Sequence, residues 1–533
     1  MSLQHPQSAD VAFDGGDLDC GNGLLLLIRK HIDPLPAGGL LEVRSTETSV
    51  DEDLPAWCRL TGNRLVSVLR EGRQRSFLIA KAGEPVGPVT AAAAVPRGGQ
   101  SGGLAPGTWV GSGPGSPAGA PSVTGPSAPA LDARPALAGP GSPLAPPALP
   151  AHGWLVLGVG SWPRPRWLMQ ALHERLEGRL GEGEFEATAD DAVRLCVQAQ
   201  ASAGVDLLTD GEQRRDSYAS FVGTKLENCQ LIPISDLLPY VEHPEQFAEE
   251  LRALDVPATK VRHPAVFGPL ARRQPLALHE ARFLSGLTTA PTKVALPGPY
   301  LLARTMWLDC LLERAYPSRE ALAADLVAIL RAELSDLLAA GVALVQLDEP
   351  VLSEVVFGRA AKQRSFMCGA LGERGAPAQE LAFAAELLAA VTAGFPRERL
   401  ALHLCRGNWT PDESAALSGD YGPLLPFLSA APVGTLLLEA CTPRAGDLEL
   451  LRAIPADKRL ALGAVNPKSP SVEGLEQILA QARRAENLLG TGRLWLTADC
   501  GFATFADNPV ASASAAQAKL ANLAEAARRL RGG

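Results

Sequence analysis

A chain of 533 residues with 46% apolar and 20% charged side chains has globular composition and is too long for one ordinary core. Its formal charge of −9 comes from scattered Asp and Glu, with no block of Lys or Arg to neutralise a phosphate backbone, so nucleic acid is not an expected partner. The opening MSLQHPQSADVAFDG lacks the basic-then-apolar pattern of a signal peptide, and GLLLLI at 23–28 is too short to span a bilayer. The expectation is a soluble, cytoplasmic protein with no membrane partner, whose nine irregularly spaced Cys are reduced, some of them reactive or metal-bound.

Residues 1–82 alternate strand and helix: VAFDG, a helix through GLLLLIRKHIDPL, strand LLEVRS, helix DEDLPAWCRLTG, then strands at RLVSVLRE and RSFLIAKA. This predicts a small α+β two-layer sandwich. Cys20 stands just before the first helix, where unpaired amide groups and the positive end of the helix dipole favour a thiolate. Cys58, inside the amphipathic LPAWCRL, is expected in the core. The run LDCGNGLLLLIRKHIDPLPAGGLLEVRSTETSVDEDLPAWCRLTGN resembles the TusA family of sulfur-carrier proteins over nearly all of 1–82. That resemblance implies a persulfide on Cys20 and a sulfurtransferase as partner. The family follows its Cys with Pro-x-Pro, whereas Gly21, Asn22 and Gly23 stand here, which makes the loop less rigid. The alternative is an inert docking module.

From 83 to 150 Ala, Pro, Gly and Ser dominate, a composition that cannot bury enough apolar surface to offset chain entropy. The segment is expected to be a flexible linker that keeps the small domain close to the large one without fixing their geometry.

In 151–533, eight apolar runs recur between segments of helical periodicity: WLVLGVGSW, GVDLLTDGEQ, TKVALPGP, GVALVQLDEP, RLALHLCRGN, GTLLLEAC, RLALGAVNP and RLWLTADCG. Each is apolar on both faces and breaks into polar, Gly or Pro residues at its C-terminal end, as buried parallel strands do. Eight such units predict a (β/α)8 TIM-type barrel with its chemistry at the strand C-terminal ends. The surplus length falls in the loops after the second and fourth strands, which are candidate lids.

That face carries Ser161, Asp210 and Glu212, Pro297-Gly298-Pro299, Asp348-Glu349, His403 with Cys405, Glu439 with Cys441, Asn466 with Lys468, and Asp499-Cys500. His403 and Cys405, two residues apart, point to the same side of a strand and suit one metal ion. Glu439 and Cys500, from strands six and eight, would complete a tetrahedral zinc set. Cys441 competes with Glu439, which is nearer the strand.

Gly160-Ser161-Trp162-Pro163, Asp210-Gly211-Glu212, Gln346-Leu347-Asp348-Glu349-Pro350, His403-Leu404-Cys405, Glu439 and Asp499-Cys500-Gly501 together resemble cobalamin-independent methionine synthase. The likeness covers essentially all of 151–533 and matches the catalytic barrel of that two-barrel family. It implies zinc on His403, Cys405, Glu439 and Cys500, and Ser161, Glu212 and Asp348 around the amino-acid end of homocysteine. The implied reaction moves a methyl group to the thiol, with 5-methyltetrahydrofolate as donor. A departing folate nitrogen needs an acid. The family supplies it from a seventh-strand Asp-Ile-His-Ser, where this chain has Val465-Asn466-Pro467-Lys468-Ser469. Lys468 is the candidate acid if burial depresses its pKa; a solvated strand-end Lys is the alternative. Trp307 lies two residues beyond the place where the family has a pterin-stacking Trp. Two other functions stay open: transfer to another thiol or a persulfide carried by 1–82, and a non-enzymatic carrier with a degenerate barrel.

Overall fold

The structure is a computed structural model that describes residues 5–18, 24–82, 149, 153–176, 178–237, 245, 249, 261–307, 315–361, 375–408, 410–506 and 509–532. Cys20 and the linker, Leu149 apart, lie outside the described residues. Among those described, no helix is long and apolar enough to cross a membrane.

The small domain runs β1 (Val11–Asp14), α1 (Leu25–Ile32), β2 (Leu40–Ser45), α2 (Val50–Thr61), β3 (Arg64–Glu71) and β4 (Gln74–Ala80). Its sheet order is β1-β2-β4-β3, with β1 parallel to β2 and the other pairs antiparallel. Period-two alternation puts Leu41 and Val43 on the inner face opposite Ile79 and Phe77. Leu24, Ile28 and Ile32 of the first helical segment close over them at i, i+4, i+8, and Leu54, Trp57 and Cys58 of α2 complete the core. Burial pushes the Cys58 thiol up to about 11, which leaves it an inert core residue. α2 stops at Gly62, whose φ of 74° places it in the left-handed region.

In the large domain six strands pair in parallel in the order β12-β11-β10-β9-β8-β7. They are β7 (Lys293–Pro297), β8 (Leu344–Asp348), β9 (Leu400–Leu404), β10 (Thr435–Leu438), β11 (Arg459–Val465) and β12 (Leu494–Ala498). The first two apolar runs form single parallel bridges instead of full ladders: Val156 to Leu496, Leu157 to Leu207, and Leu208 to Thr292 beside β7. Gly158, Gly160 and Gly211 interrupt these runs, and glycine weakens a strand interior. The bridges nonetheless return the chain of parallel pairings to its starting strand.

Leu157, Leu207, Leu344, Ala401, Leu437, Ala461 and Trp495, one from each of seven segments, pack together inside that ring. β7 contributes Lys293 at its inward position instead. Residues of the opposite parity, such as Leu402, Leu436 and Leu460, join the larger cluster under the surrounding helices. An insertion after Leu208 carries a 3-10 turn (Ser220–Thr224) and an antiparallel hairpin of β5 (Cys229–Pro233) and β6 (Arg262–Val266). The small and large domains belong to one compact unit.

Candidate active site

Ser161, Glu212, Asp348, His403, Cys405 and Cys500 line one pocket at the C-terminal ends of the parallel segments, together with Tyr218, Asn408 and Thr504. Asp348 and His403 pair in register at the ends of β8 and β9. His403 Nδ1 donates to Asp348 Oδ1 at 2.8 Å, which leaves Nε2 as the acceptor; it is buried and has no protein partner. Two residues on, Cys405 accepts the thiol hydrogen of Cys500 across an S–S separation of 3.2 Å. That hydrogen bond and burial hold the Cys500 thiol well above its ordinary pKa.

A buried relay lies beneath His403. Lys293 Nζ donates to the Val159 carbonyl and, at 2.5 Å, to Gln346 Oε1, whose Nε2 donates in turn to Asp348 Oδ1 at 2.7 Å. Burial lowers the Lys293 pKa to about 8, against the pull of Asp348 and Glu212. A cation in an apolar interior is tolerated only with such partners. It anchors the negative charge on which His403 depends.

Glu212 sits at φ 55°, a left-handed conformation costly for a residue with a side chain. Arg164, buried, holds this turn by donating to the carbonyls of Glu212 and Arg215 at 2.7 Å each, and reaches the Ala503 carbonyl at 3.2 Å. The preceding Gly211 is at φ 71°, and a Cβ there would lie 2.4 Å from Cys196 Sγ and 2.8 Å from Trp162 Cβ. Burial lifts the Glu212 carboxyl to about 7, with Arg215 opposing and Asp348 adding to the shift. Glu212 Oε2, Asp210 Oδ2 and Asn408 Oδ1 are buried acceptors without a protein donor. Such atoms carry a desolvation cost that a ligand cation or donor removes. Ser161 Oγ accepts from Ala503 N at 3.3 Å, and Asn408 Nδ2 binds Gly501 O at 2.6 Å and Thr504 Oγ1 at 3.0 Å.

Glu439, at the end of β10, is buried but absent from the pocket lining. Its Oε1 accepts from Arg406 N at 2.7 Å and its Oε2 from Arg444 Nη2 at 3.1 Å. Arg444 also pairs with Glu413 and lies 3.9 Å from Asp499. Cys441 donates its thiol hydrogen to Asp499 Oδ2 at 2.8 Å, and burial together with Asp499 pushes that thiol far up. Among the described residues no three His, Cys, Asp or Glu side chains stand close enough to enclose a metal ion. Lys468 is buried rather than solvated, because the 412–413 turn covers it; its Nζ donates to Asp412 O at 3.1 Å, and burial lowers its pKa. It does not line the pocket.

Pattern alone missed Tyr218, Asn408, Thr504, Lys293 and Arg444. Asn408 carried a signal, a polar residue three past Cys405 at a strand end. Lys293 carried none, since a Lys opening an apolar run looks like a solvated strand start.

A parallel α/β fold that gathers two thiols and an imidazole beside buried carboxylates in one strand-end pocket has the makings of an enzyme site. The profile of the family described as "Cobalamin-independent synthase, Catalytic domain" matches residues 156–529, and the chain belongs to that family. A "Methionine synthase" of Saccharolobus solfataricus is 23% identical over 344 residues, 64% of this chain and 86% of that one. A "5-methyltetrahydropteroyltriglutamate--homocysteine methyltransferase" of Nitratidesulfovibrio vulgaris is 26% identical over 374 residues. The match spans 70% of this chain and 41% of that relative, under half its length. Among solved structures, a B12-independent methionine synthase from a Shewanella species superposes with TM-score 0.53 at 24% identity, over 72% of this chain and 98% of that one. A second, from Listeria monocytogenes, gives TM-score 0.52 at 18% identity, over 71% and 98%. These two show the fold alone.

Proposed function

We propose that the large domain is a (β/α)8 barrel that methylates the thiol of homocysteine to give methionine. The observation that carries this reading is the pair of thiols 3.2 Å apart beside the unpartnered His403 Nε2, in the same pocket as Glu212 and Asp348. The donor chemistry suits zinc, a buried imidazole nitrogen and two thiols, so His403, Cys405 and Cys500 would hold the ion once they close on it, with Glu439 the proposed fourth ligand after it exchanges Arg444 for the metal. Zinc bound there would supply a Lewis acid that lowers the pKa of the substrate thiol.

The chain's own groups do the rest. Glu212 and Asp348 face the substrate ammonium, whose arrival would restore the charged form of Glu212. Ser161 takes the carboxylate end through its hydroxyl hydrogen, and the free Asn408 Oδ1, which can only accept, faces the ammonium; together they fix the sulfur against the thiol side of the pocket. Methyl transfer forms the S–CH3 bond as the donor's bond to that carbon breaks; the substrate's thiol proton is released and the donor nitrogen takes one up. We assign the donor to the methylated folates, as the names of relatives suggest, with Lys468 as the acid; its burial supports that role. For residues 1–82 the βαβαββ order supports the TusA-like sulfur-carrier reading, with Cys20 as its persulfide site and a sulfurtransferase as supplier. The working compartment is taken as cytoplasmic.

The test is to incubate the purified full chain with homocysteine and, separately, 5-methyltetrahydrofolate, its polyglutamate, methylcobalamin or simple methylated sulfur compounds, and to identify products by mass spectrometry. Methionine from a folate donor is expected. Methionine from another donor alone would reassign the donor side, and methionine from none would overturn the function. A metal-free, fully folded and active protein would overturn the zinc assignment.

A further inference from the structure

α1 buries residues on two faces, although a helix on the surface of a small sandwich needs one. Ile28 and Ile32 face the small domain's own core, whereas Leu26 is 1% exposed and packs into the core of the large domain. Leu26, Arg29, Lys30 and Asp33 fall at i, i+3, i+4 and i+7, a second stripe along the helix.

That stripe meets the β5–β6 hairpin and its continuation. Arg29 Nε and Nη2 both donate to Asp236 Oδ2, at 3.0 and 2.7 Å, with both side chains less than one-fifth exposed. Gln230 Nε2 donates to Lys30 O at 3.0 Å, and the Lys30 ammonium lies 5.8 Å from the centre of the Phe267 ring. An inserted Leu, a half-buried ion pair and a side chain bonded to backbone are the composition of a specific interface. Random brushing of tethered domains would leave Leu26 in water.

The hairpin belongs to the catalytic rim. It follows the second parallel segment, and His263 Nε2 contacts Thr305 O at 2.5 Å, at the end of the helix that follows β7. Its inner side packs on the 220–224 turn so tightly that a Cβ on Gly223 would lie 2.7 Å from Leu231 and 3.2 Å from Pro264. That turn continues from Tyr218, a wall of the pocket.

We propose that the small domain works from a fixed seat on the catalytic rim, gripped by the outer stripe of α1, and that this seat braces the 217–224 wall of the pocket. The partner for this surface is the chain's own first domain. The proposal stands independently of which methyl donor or acceptor is used.

Small-angle scattering and hydrogen exchange on the full chain test it, and neither readout needs activity. Leu26→Glu, Arg29→Glu and Asp236→Arg should each raise the radius of gyration and speed exchange of amides 217–224 about tenfold. The Arg29→Glu/Asp236→Arg pair should restore both. Leu26 and Arg29 lie outside the small domain's own core, so exchange in β2 and β4 should stay slow; if Leu26→Glu unfolds that sheet, the two charge reversals decide. Unchanged dimensions and exchange in the single variants, or no restoration in the charge swap, would overturn the seat. Expansion without faster exchange at 217–224 would overturn the bracing.

Discussion

The two sides of the strand-end face are built on opposite principles. On the sulfur side, at the ends of β8, β9 and β12 and the Glu212 turn, buried polar atoms are left without partners: His403 Nε2, Glu212 Oε2 and Asn408 Oδ1. On the neighbouring rim, Glu439, Cys441 and Arg444 after β10 and Asp499 after β12 bond one another. Unsatisfied buried groups cost stability, so acceptors left open along a pocket mark a place where stability is traded for binding. The carboxylates of the rim, each already paired, make no such demand. A ligand is therefore expected on the sulfur side, and substitutions on each side should have different effects.

The largest effect belongs to the thiols. Cys405→Ala should abolish methyl transfer and reduce bound zinc from one per chain to none, read by metal analysis after gel filtration. Retention of stoichiometric zinc would move the metal elsewhere and end the distinction between the two sides.

Arg444→Met comes next, on the rim. Removing one partner of a buried ion pair costs about 3–5 kcal/mol because the other charge is stranded, so metal-free protein should lose thermal stability. If Glu439 is the fourth ligand, zinc should stabilise this variant more than the parent, since the freed carboxylate gains the ion in place of the guanidinium. Melting with and without zinc measures both. Equal zinc-induced shifts would leave Glu439 as a purely structural carboxylate.

Lys293→Met is a smaller, indirect perturbation of the sulfur side. It cuts the relay that runs through Gln346 and Asp348 to His403, and groups that orient metal-ligand side chains are typically worth about 10–100-fold in affinity or activity. A zinc titration should show a loss of that order, and Lys293→Arg should recover part of it. A neutral Lys293→Met would make the buried cation a packing feature alone.

The eight-run pattern was legible because buried parallel strands must be apolar on both faces, and six of those runs are full ladders. The runs around Val156 and Leu207 are reduced to bridges by their glycines, a cost that periodicity does not register. Ser161, His403 and Cys405 were legible as polar residues at strand ends, a position any pattern can mark. The partner of Glu439 was not: Arg444 lies five residues on, and its return over the strand end depends on the turn between them. The outer stripe of α1 was hidden for a related reason. Four consecutive Leu fit any helix with a core, and only a second domain in contact shows that Leu26 faces away from the first.

The smallest effect is a slope with pH. The Glu212 carboxyl, raised by burial from 4.5 to about 7, keeps its proton in the folded chain over a window in which the unfolded chain has lost it. Below pH 4.5 both states hold the proton, and the preference for the folded state is fully present. As pH rises through the window the folded chain binds more protons than the unfolded one, so stability falls by up to about 1.4 kcal/mol per pH unit, and the loss is complete above about pH 7. Glu212→Gln, which cannot ionise, should flatten this part of the stability profile in urea titrations while weakening homocysteine binding. The parent should flatten in the same way when saturated with homocysteine, because the ammonium supplies the positive charge the carboxylate lacks. If Glu212→Gln flattens the profile and homocysteine does not, the unpartnered carboxylate is a strained feature of the turn rather than the amine's seat, and the sulfur side keeps only its thiols and imidazole as evidence of a ligand.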